Sequence, residues 1–114
     1  MPDYLHKLFG FDGQVAVVIG GTGVLGGELC YGLAQAGATV VVAGRSQERG
    51  QARVAEIEKL GGKATFAEVD ASERESVKTL LDGVIAQHGR VDALVNSAGV
   101  NSPTPYFDIA DEDF

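Results

Sequence analysis

The stretch VAVVIGGTGVLGGELC, residues 15–30, joins a run of apolar β-forming residues to a segment with five glycines. Glycine loses more backbone entropy on folding than other residues and weakens both strands and helices. Gly21, Gly23 and Gly26 have the spacing G-x-G-x-x-G, directly after a predicted strand and at the start of a predicted helix. In that context the pattern is typical of dinucleotide binding, because N–H groups at the helix start can bind a pyrophosphate. A merely structural turn is the alternative interpretation.

Apolar runs and segments with helical spacing alternate along the chain. Strands are predicted at residues 15–19, 39–43, 64–69 and 91–96, each apolar enough to be covered on both faces. The first helix is expected to bury Leu25, Leu29 and Leu33 and to end at Gly37. This order predicts an α/β fold: a Rossmann-like, doubly wound parallel sheet of about four strands with flanking helices.

The later helices have recognisable starts. Ser46 is the predicted N-cap of the second helix, which is expected to bury Val54, Ile57 and Leu60. In the third helix, Ser72 and Glu75 have the spacing of a capping box. The apolar residues that follow are Val77, Leu80, Leu81, Val84 and Ile85. Residues 111–113 predict the acidic first turn of another helix, so we expect the chain to be the N-terminal part of a longer one.

Length and charge limit the classes of function. The 114 residues leave room for one domain, and the net charge of −7 argues against a nucleic-acid partner. No apolar run has the length of a membrane span, and no secretory signal is recognisable at the N-terminus. The single cysteine, Cys30, is predicted to be a packed helix residue, and these features favour the cytoplasm. His6 and His88 have no ligand-spaced partners, so no metal site is expected.

The end of the second strand bears on the type of dinucleotide. Sites that prefer NAD usually place an acidic residue there to bind the ribose hydroxyls. The segment VVVAGRSQE, residues 40–48, has Arg45 and Ser46 at this place. A guanidinium can pair with a 2′-phosphate, which a carboxylate would repel. The sequence therefore favours NADP over NAD, with a solvated Arg45 in an NAD site as the alternative.

These motifs resemble the short-chain dehydrogenase/reductase superfamily, over residues 11–114. IGGTGVLG, residues 19–26, resembles the family's T-G-x-x-G-x-x-G, with Ile19 where threonine is usual. The resemblance implies that Asp70 bonds the adenine and that Ala71 lines its pocket. DALVNSAG, residues 92–99, resembles the N-N-A-G motif, with Ser97 as the departure. The implied cofactor site comprises Gly20, Gly21, Thr22, Gly23, Val24, Leu25, Gly26, Arg45, Ser46, Asp70, Ala71, Asn96, Ala98 and Gly99.

The resemblance also implies a catalytic half that this chain lacks. Family members are more than twice as long, and their catalytic serine and Tyr-x-x-x-Lys pair follow the fourth strand. No Tyr-x-x-x-Lys occurs among these 114 residues, so no catalytic residue is assigned. We expect residues 1–114 to be the cofactor-binding part of a Rossmann domain, inactive alone, whose longer parent transfers hydride to or from a carbonyl or alcohol substrate. A non-catalytic dinucleotide-binding or sensor module and a non-functional fragment are the alternatives.

The fourth strand is expected to end the sheet. In the family's strand order the third, second, first and fourth strands lie side by side. Residues 91–99, VDALVNSAG, contain no lysine or proline that would protect a natural sheet edge. We therefore expect the chain to self-associate through this strand or to aggregate, and Val95→Lys to raise its solubility, at some cost to packing, if the face of Val95 is uncovered.

Overall fold

The computed structural model describes residues 3–97 and contains four helices and four strands within them. Their order is α1 (Asp3–Phe9), β1 (Val15–Ile19), α2 (Val24–Gln35), β2 (Thr39–Gly44), α3 (Gln47–Lys59), β3 (Lys63–Glu68), α4 (Arg74–His88) and β4 (Ala93–Asn96). Ala98, Gly99 and the helix start expected at residues 111–113 lie outside the described residues. Helix α1 buries none of its residues and adds nothing to the core.

The four strands form one parallel sheet in the order β3-β2-β1-β4. Strand β1 is buried along its whole length, as is β2 except at Thr39. These two strands are continuous runs of β-branched and small apolar residues, as expected of strands covered on both faces. The predicted fold class, a doubly wound parallel α/β sheet, is confirmed.

Two apolar clusters cover the two faces of the sheet. On one face, Ala16 and Val18 of β1 pack with Cys30 of α2 and Ile57 of α3. On the other face, Val17 of β1 packs in a cluster with Leu80 and Val84 of α4. Each valine fully buried in such a cluster contributes on the order of 1.5–3 kcal/mol to folding. The alternation of side chains along β1 thus assigns α2 and α3 to one layer and α4 to the other.

The predicted buried face of α2 is wrong. Leu25 is 69% exposed and Leu29 is 37% exposed, and only Leu33 of that stripe packs partly against the core. The buried residues are Gly26, Gly27, Cys30 and Ala34. Three of them, Gly26, Cys30 and Ala34, have the same spacing of four as the leucines but begin one residue later. Small residues occupy the face because the glycine-rich turn brings the start of α2 very close to the sheet. The bulky leucines therefore lie outside the contact.

Two further details of the helices differ from expectation. Ser46 is the N-cap of α3, as predicted, and its hydroxyl accepts from the Arg49 N–H. The N-cap of α4, however, is Glu73, and Ser72 bonds to Asp70 instead, so the capping box is wrong. Leu60 follows the last turn of α3 and is 64% exposed rather than buried.

The outer strands are covered less than predicted. Residues of β3 and β4 are partly exposed, unlike those of β1 and β2. In β4, Val95 packs partly against the first cluster, whereas Leu94 on the opposite face is 49% exposed. Leu94, and not Val95, is therefore the apolar residue that the described part of β4 presents to solvent.

Asp92 ties the start of β4 to the start of β1. Its Oδ2 accepts from the Val15 N–H at 2.8 Å, and its two carboxylate oxygens accept from Arg90 at 2.6 and 2.7 Å. The Arg90 bonds, followed by the Val15 N–H, hold the pKa of Asp92 below its ordinary value. A carboxylate whose pKa is lower in the folded than in the unfolded chain stabilises the fold at pH values above the unfolded-chain pKa. This stabilisation is lost as the pH falls through the folded-chain pKa.

We expect Asp92→Asn to lower the free energy of unfolding near neutral pH, because the amide cannot pair with Arg90 as a carboxylate does. The difference from the unsubstituted chain should shrink as the pH falls below the unfolded aspartate pKa of about 3.9. Urea unfolding across this pH range measures it, with Asp82→Asn on the exposed side of α4 as control. A difference that stays constant with pH would rule out this role for the ionised carboxylate.

Candidate functional site

A cleft of about 650 Å³ lies where the carboxyl ends of the strands meet. Every strand, or the loop after it, contributes to its wall. The lining residues are Ile19, Gly20, Thr22, Gly23, Gly44, Arg45, Ser46, Arg49, Val69, Asp70, Ala71, Ser72, Asn96 and Ser97. In open parallel sheets, ligands bind at this edge, beside the point where the strand order reverses. Here that point lies between β1 and β4.

The glycine turn, residues 20–26, forms the floor at the end of β1. Gly20 has φ +87°, a backbone conformation that residues with a side chain rarely adopt. Its N–H donates to the Ala43 carbonyl of β2, and its own carbonyl accepts from the Gly23 N–H at 3.0 Å. Gly23 is the N-cap of α2 and makes no side-chain capping bond. No capping side chain therefore bonds to the N–H groups of the first turn of α2, and such N–H groups can bind an anion.

Close packing explains the last glycine of the pattern. A Cβ on Gly26 would overlap the Gly20 carbonyl oxygen and lie 2.6 Å from Ser97 Oγ. The Ser97 hydroxyl donates to the Ile19 carbonyl at 2.8 Å, and the Ser97 N–H donates to the same oxygen at 2.9 Å. Ser97, the departure from the resembled motif, thus fastens the end of β4 to the end of β1 beside the glycine turn.

The structure brings most of the predicted cofactor residues together. Those that line the cleft are Gly20, Thr22, Gly23, Arg45, Ser46, Asp70, Ala71 and Asn96. Gly21 and Gly26 are buried within the turn and do not line the cleft. The Val24 and Leu25 side chains are exposed at the start of α2 and do not line the cleft, so only their N–H groups can serve a ligand there.

Sequence reasoning missed Arg49, Ser72 and Ser97 among the polar lining residues. The place of Arg49 could have been predicted from the sequence, because an N-cap at Ser46 puts Arg49 in the first turn of α3, close to Arg45. The place of Ser72 could also have been predicted, since an aspartate side chain in a turn often accepts a hydrogen bond from the residue two positions after it. In the sequence, Ser97 differs from the resembled motif but gives no sign of a role. Its hydrogen bond to β1 could not be predicted, because it depends on β4 lying beside β1 in the sheet.

Asp70, in the wall of the cleft, accepts two hydrogen bonds from Ser72. Its Oδ1 accepts from the Ser72 hydroxyl at 2.6 Å and from the Ser72 N–H at 3.0 Å. These two bonds, with a smaller attraction from Arg45, lower the pKa of Asp70. The Asp70 N–H donates to Ser76 Oγ at 2.8 Å, which fixes the loop after β3 against α4.

The cationic side of the cleft lies at the end of β2. Arg45 and Arg49 are both exposed and both line the wall, with no acidic residue on that loop before Glu48. Guanidinium groups bind phosphate through charge-assisted and often bidentate hydrogen bonds. The wall at β2 is therefore suited to a phosphate, whereas the wall at β3 offers a carboxylate that accepts hydrogen bonds.

Three further features bear on the function of residues 3–97: metal-binding clusters, the cysteine and membrane-spanning helices. Residues 3–97 contain no cluster of three or more side chains able to hold a metal ion. Cys30 is buried, and burial raises the pKa of its thiol to about 11, which disfavours the thiolate form. No helix within residues 3–97 is both long and apolar enough to cross a bilayer.

The sequence of residues 14–114 matches the family model of the short chain dehydrogenases. The chain belongs to the short-chain dehydrogenase family. This chain is 40% identical over 90 residues to a 3beta-hydroxysteroid dehydrogenase of Mediterraneibacter gnavus, covering 79% of its own length and 33% of that protein. It is 37% identical over 101 residues to cyclopentanol dehydrogenase of Comamonas testosteroni, covering 89% of its own length and 40% of that enzyme.

Two solved structures with similar sequences share the fold. A hydroxysteroid dehydrogenase from Escherichia coli superposes with a TM-score of 0.81 at 34% identity, over 93% of this chain and 44% of that one. A metagenomic short-chain oxidoreductase in complex with NADP superposes with a TM-score of 0.78 at 36% identity, over 90% of this chain and 47% of that one. The present chain therefore spans less than half the length of these relatives.

Proposed function

We propose that this chain binds NADP(H) in the cleft at the carboxyl edge of its sheet, as the cofactor-binding part of an oxidoreductase. In a longer parent protein, the bound nicotinamide would exchange hydride with a carbonyl or alcohol carbon of a small-molecule substrate. The catalytic residues and the substrate site would belong to that longer protein. The observation that carries the proposal is the cleft itself, which joins the glycine turn, the Arg45 wall and Asp70 around one space.

Each part of the cleft matches one part of the cofactor. The glycine turn and the uncapped start of α2 would bind the pyrophosphate. Arg45 and Arg49 would pair with the adenosine 2′-phosphate, which supports NADP over NAD. Asp70 and Ala71 would hold the adenine, and Asn96 would steady the end of β4 beside the cofactor. The family resemblance adds Ala98 and Gly99, which lie outside the described residues, along the cofactor's ribose.

Fluorescence titration with NADPH and NADH tests this proposal. We expect saturable binding of both, tighter for NADPH, and a similar loss of affinity for both when Asp70 is changed to Asn. The adenine is common to the two cofactors, so a change at Asp70 should not alter the ratio of the NADPH and NADH affinities. Absence of saturable binding by the unsubstituted chain would contradict the proposal.

The exposed side of β4 supports self-association as a secondary expectation. Within the described residues β4 pairs only with β1, and Leu94 is 49% exposed. Leu94→Lys should shift the chain towards monomer in sedimentation velocity over a concentration series. Leu60→Lys is the matched control, since Leu60 is 64% exposed after α3. A chain that is monomeric at every concentration, or an equal effect of the two substitutions, would contradict this expectation.

A further inference from the structure

We propose that Arg53 of α3 is a positioning residue that holds the glycine turn in its phosphate-binding conformation; this inference rests on the proposed function. Its Nη2 lies 3.5 Å from the Thr22 carbonyl oxygen and 3.4 Å from that of Gly23. Arg53 does not line the cleft, whereas Thr22 and Gly23 do. It therefore contacts the turn without occupying the space that the cofactor would fill.

The two carbonyl contacts bear on where the N–H groups of the turn point. In a planar trans peptide the carbonyl oxygen and the following N–H lie on opposite sides. A Gly23 carbonyl directed at Arg53 consequently leaves the N–H of Val24, the first residue of α2, directed away from Arg53. The Gly23 carbonyl also accepts from the Gly27 N–H at 2.9 Å, so Arg53 reinforces an orientation that the first turn of α2 already favours.

Arg53 is itself held in place by its surroundings. Its Nη1 donates to the Tyr31 hydroxyl at 3.1 Å, and its guanidinium carbon lies 5.3 Å from the centre of the Tyr31 ring. The Tyr31 hydroxyl also bonds to Glu56, whose carboxylate lies 3.9 Å from Arg53. The Arg53 side chain is 22% exposed. These contacts from α2 and α3 restrict the guanidinium to one position behind the glycine turn.

Gly27 makes room for this guanidinium. A Cβ on Gly27 would lie 2.6 Å from Arg53 Cζ and 2.7 and 2.9 Å from its two terminal nitrogens. Gly27 follows the G-x-G-x-x-G pattern, which therefore gives no reason for a glycine there. Its absence of a side chain is explained by the close approach of Arg53. Gly27 and Arg53 act as one unit across the α2–α3 contact.

The inference is tested with Arg53→Met and with Lys59→Met, an exposed control on the same helix that removes the same charge. NADPH affinity should fall by about tenfold in Arg53→Met, since one hydrogen bond to a charged group is worth about that factor. Lys59→Met should bind like the unsubstituted chain. Affinity for adenosine 2′-phosphate, which carries no pyrophosphate, should be unchanged in both variants. A merely structural loss would weaken both ligands.

Gly27→Ala provides a second route if Arg53→Met does not fold. It should displace the guanidinium and weaken NADPH binding while leaving the affinity for adenosine 2′-phosphate unchanged. Where Arg53→Met does fold, the effects of the two substitutions should not add, because neighbouring residues that act together are not additive. Unchanged NADPH affinity in Arg53→Met, or an equal loss for adenosine 2′-phosphate, would overturn the positioning role while leaving the proposed function intact. No NADPH binding by the unsubstituted chain would overturn both.

Discussion

Replacing Arg45 with aspartate is expected to move the ratio of NADPH to NADH affinity by about tenfold or more towards NADH, because one charge-assisted contact is worth about 1.5–3 kcal/mol. Arg45 is exposed and lines the cleft where β2 ends, on the same wall as Arg49. A carboxylate there would repel a 2′-phosphate and could bond to ribose hydroxyls. The substitution should therefore weaken NADPH binding and preserve or improve NADH binding.

The measurement is a pair of fluorescence titrations, with Arg74→Asp as the matched control. Arg74 is an exposed arginine at the start of α4 that does not line the cleft. Its replacement with aspartate changes the net charge by the same amount as Arg45→Asp. We expect the affinity ratio of the control to stay at its original value. If Arg45→Asp shifts both affinities by the same factor, Arg45 affects the cleft only through its general charge.

Gly26→Ala is expected to lower both stability and cofactor affinity. The added Cβ would overlap the Gly20 carbonyl oxygen and crowd Ser97 Oγ, so the glycine turn would have to open or α2 would have to move. Overpacking of this kind typically costs about 1–3 kcal/mol of folding free energy. Displacement of the turn should also misplace the N–H groups that would bind the pyrophosphate, so NADPH and NADH should lose affinity together.

Gly32→Ala is the control for that substitution. Gly32 lies on the exposed side of α2, where a Cβ would meet nothing within 4 Å. Alanine in a helix interior is more favourable than glycine by about 0.5–1 kcal/mol, so this variant should be slightly more stable. Thermal unfolding and NADPH titration of the two variants compare them directly. A Gly26→Ala chain as stable as Gly32→Ala would show that the turn does not require close approach at Gly26.

The sheet could be predicted from the sequence because buried parallel strands have a strong signal. The runs at β1 and β2 are uninterrupted β-branched and small apolar residues, and their bounds agree with prediction to within one residue. The buried face of α2 could not be predicted from hydrophobicity. Its contact with the sheet is too close for leucine, so Gly26, Cys30 and Ala34 form the interface. The distance between α2 and the sheet, which is a tertiary property, determines which face of α2 is buried.

The candidate site was predictable to the extent that its residues follow strands directly. Arg45 comes after β2 and Asp70 after β3, so their place at the carboxyl edge follows from the sheet alone. Arg53 could not be predicted, because its contact with the glycine turn requires α2 and α3 to pack side by side. Ser72 was misassigned as a helix cap because two local interactions, capping and bonding to Asp70, compete for one hydroxyl.

Backbone amide NMR during titration with NADPH tests the central claim most directly. We expect saturable shifts in the amides of the glycine turn and of the loops after β2 and β3, including Gly23, Val24, Arg45 and Asp70. Amides on the far side of the molecule, such as Gly61 after α3, should not shift. Shifts concentrated away from the carboxyl edge of the sheet, or no saturable shift at all, would contradict the assignment of this cleft as the cofactor site.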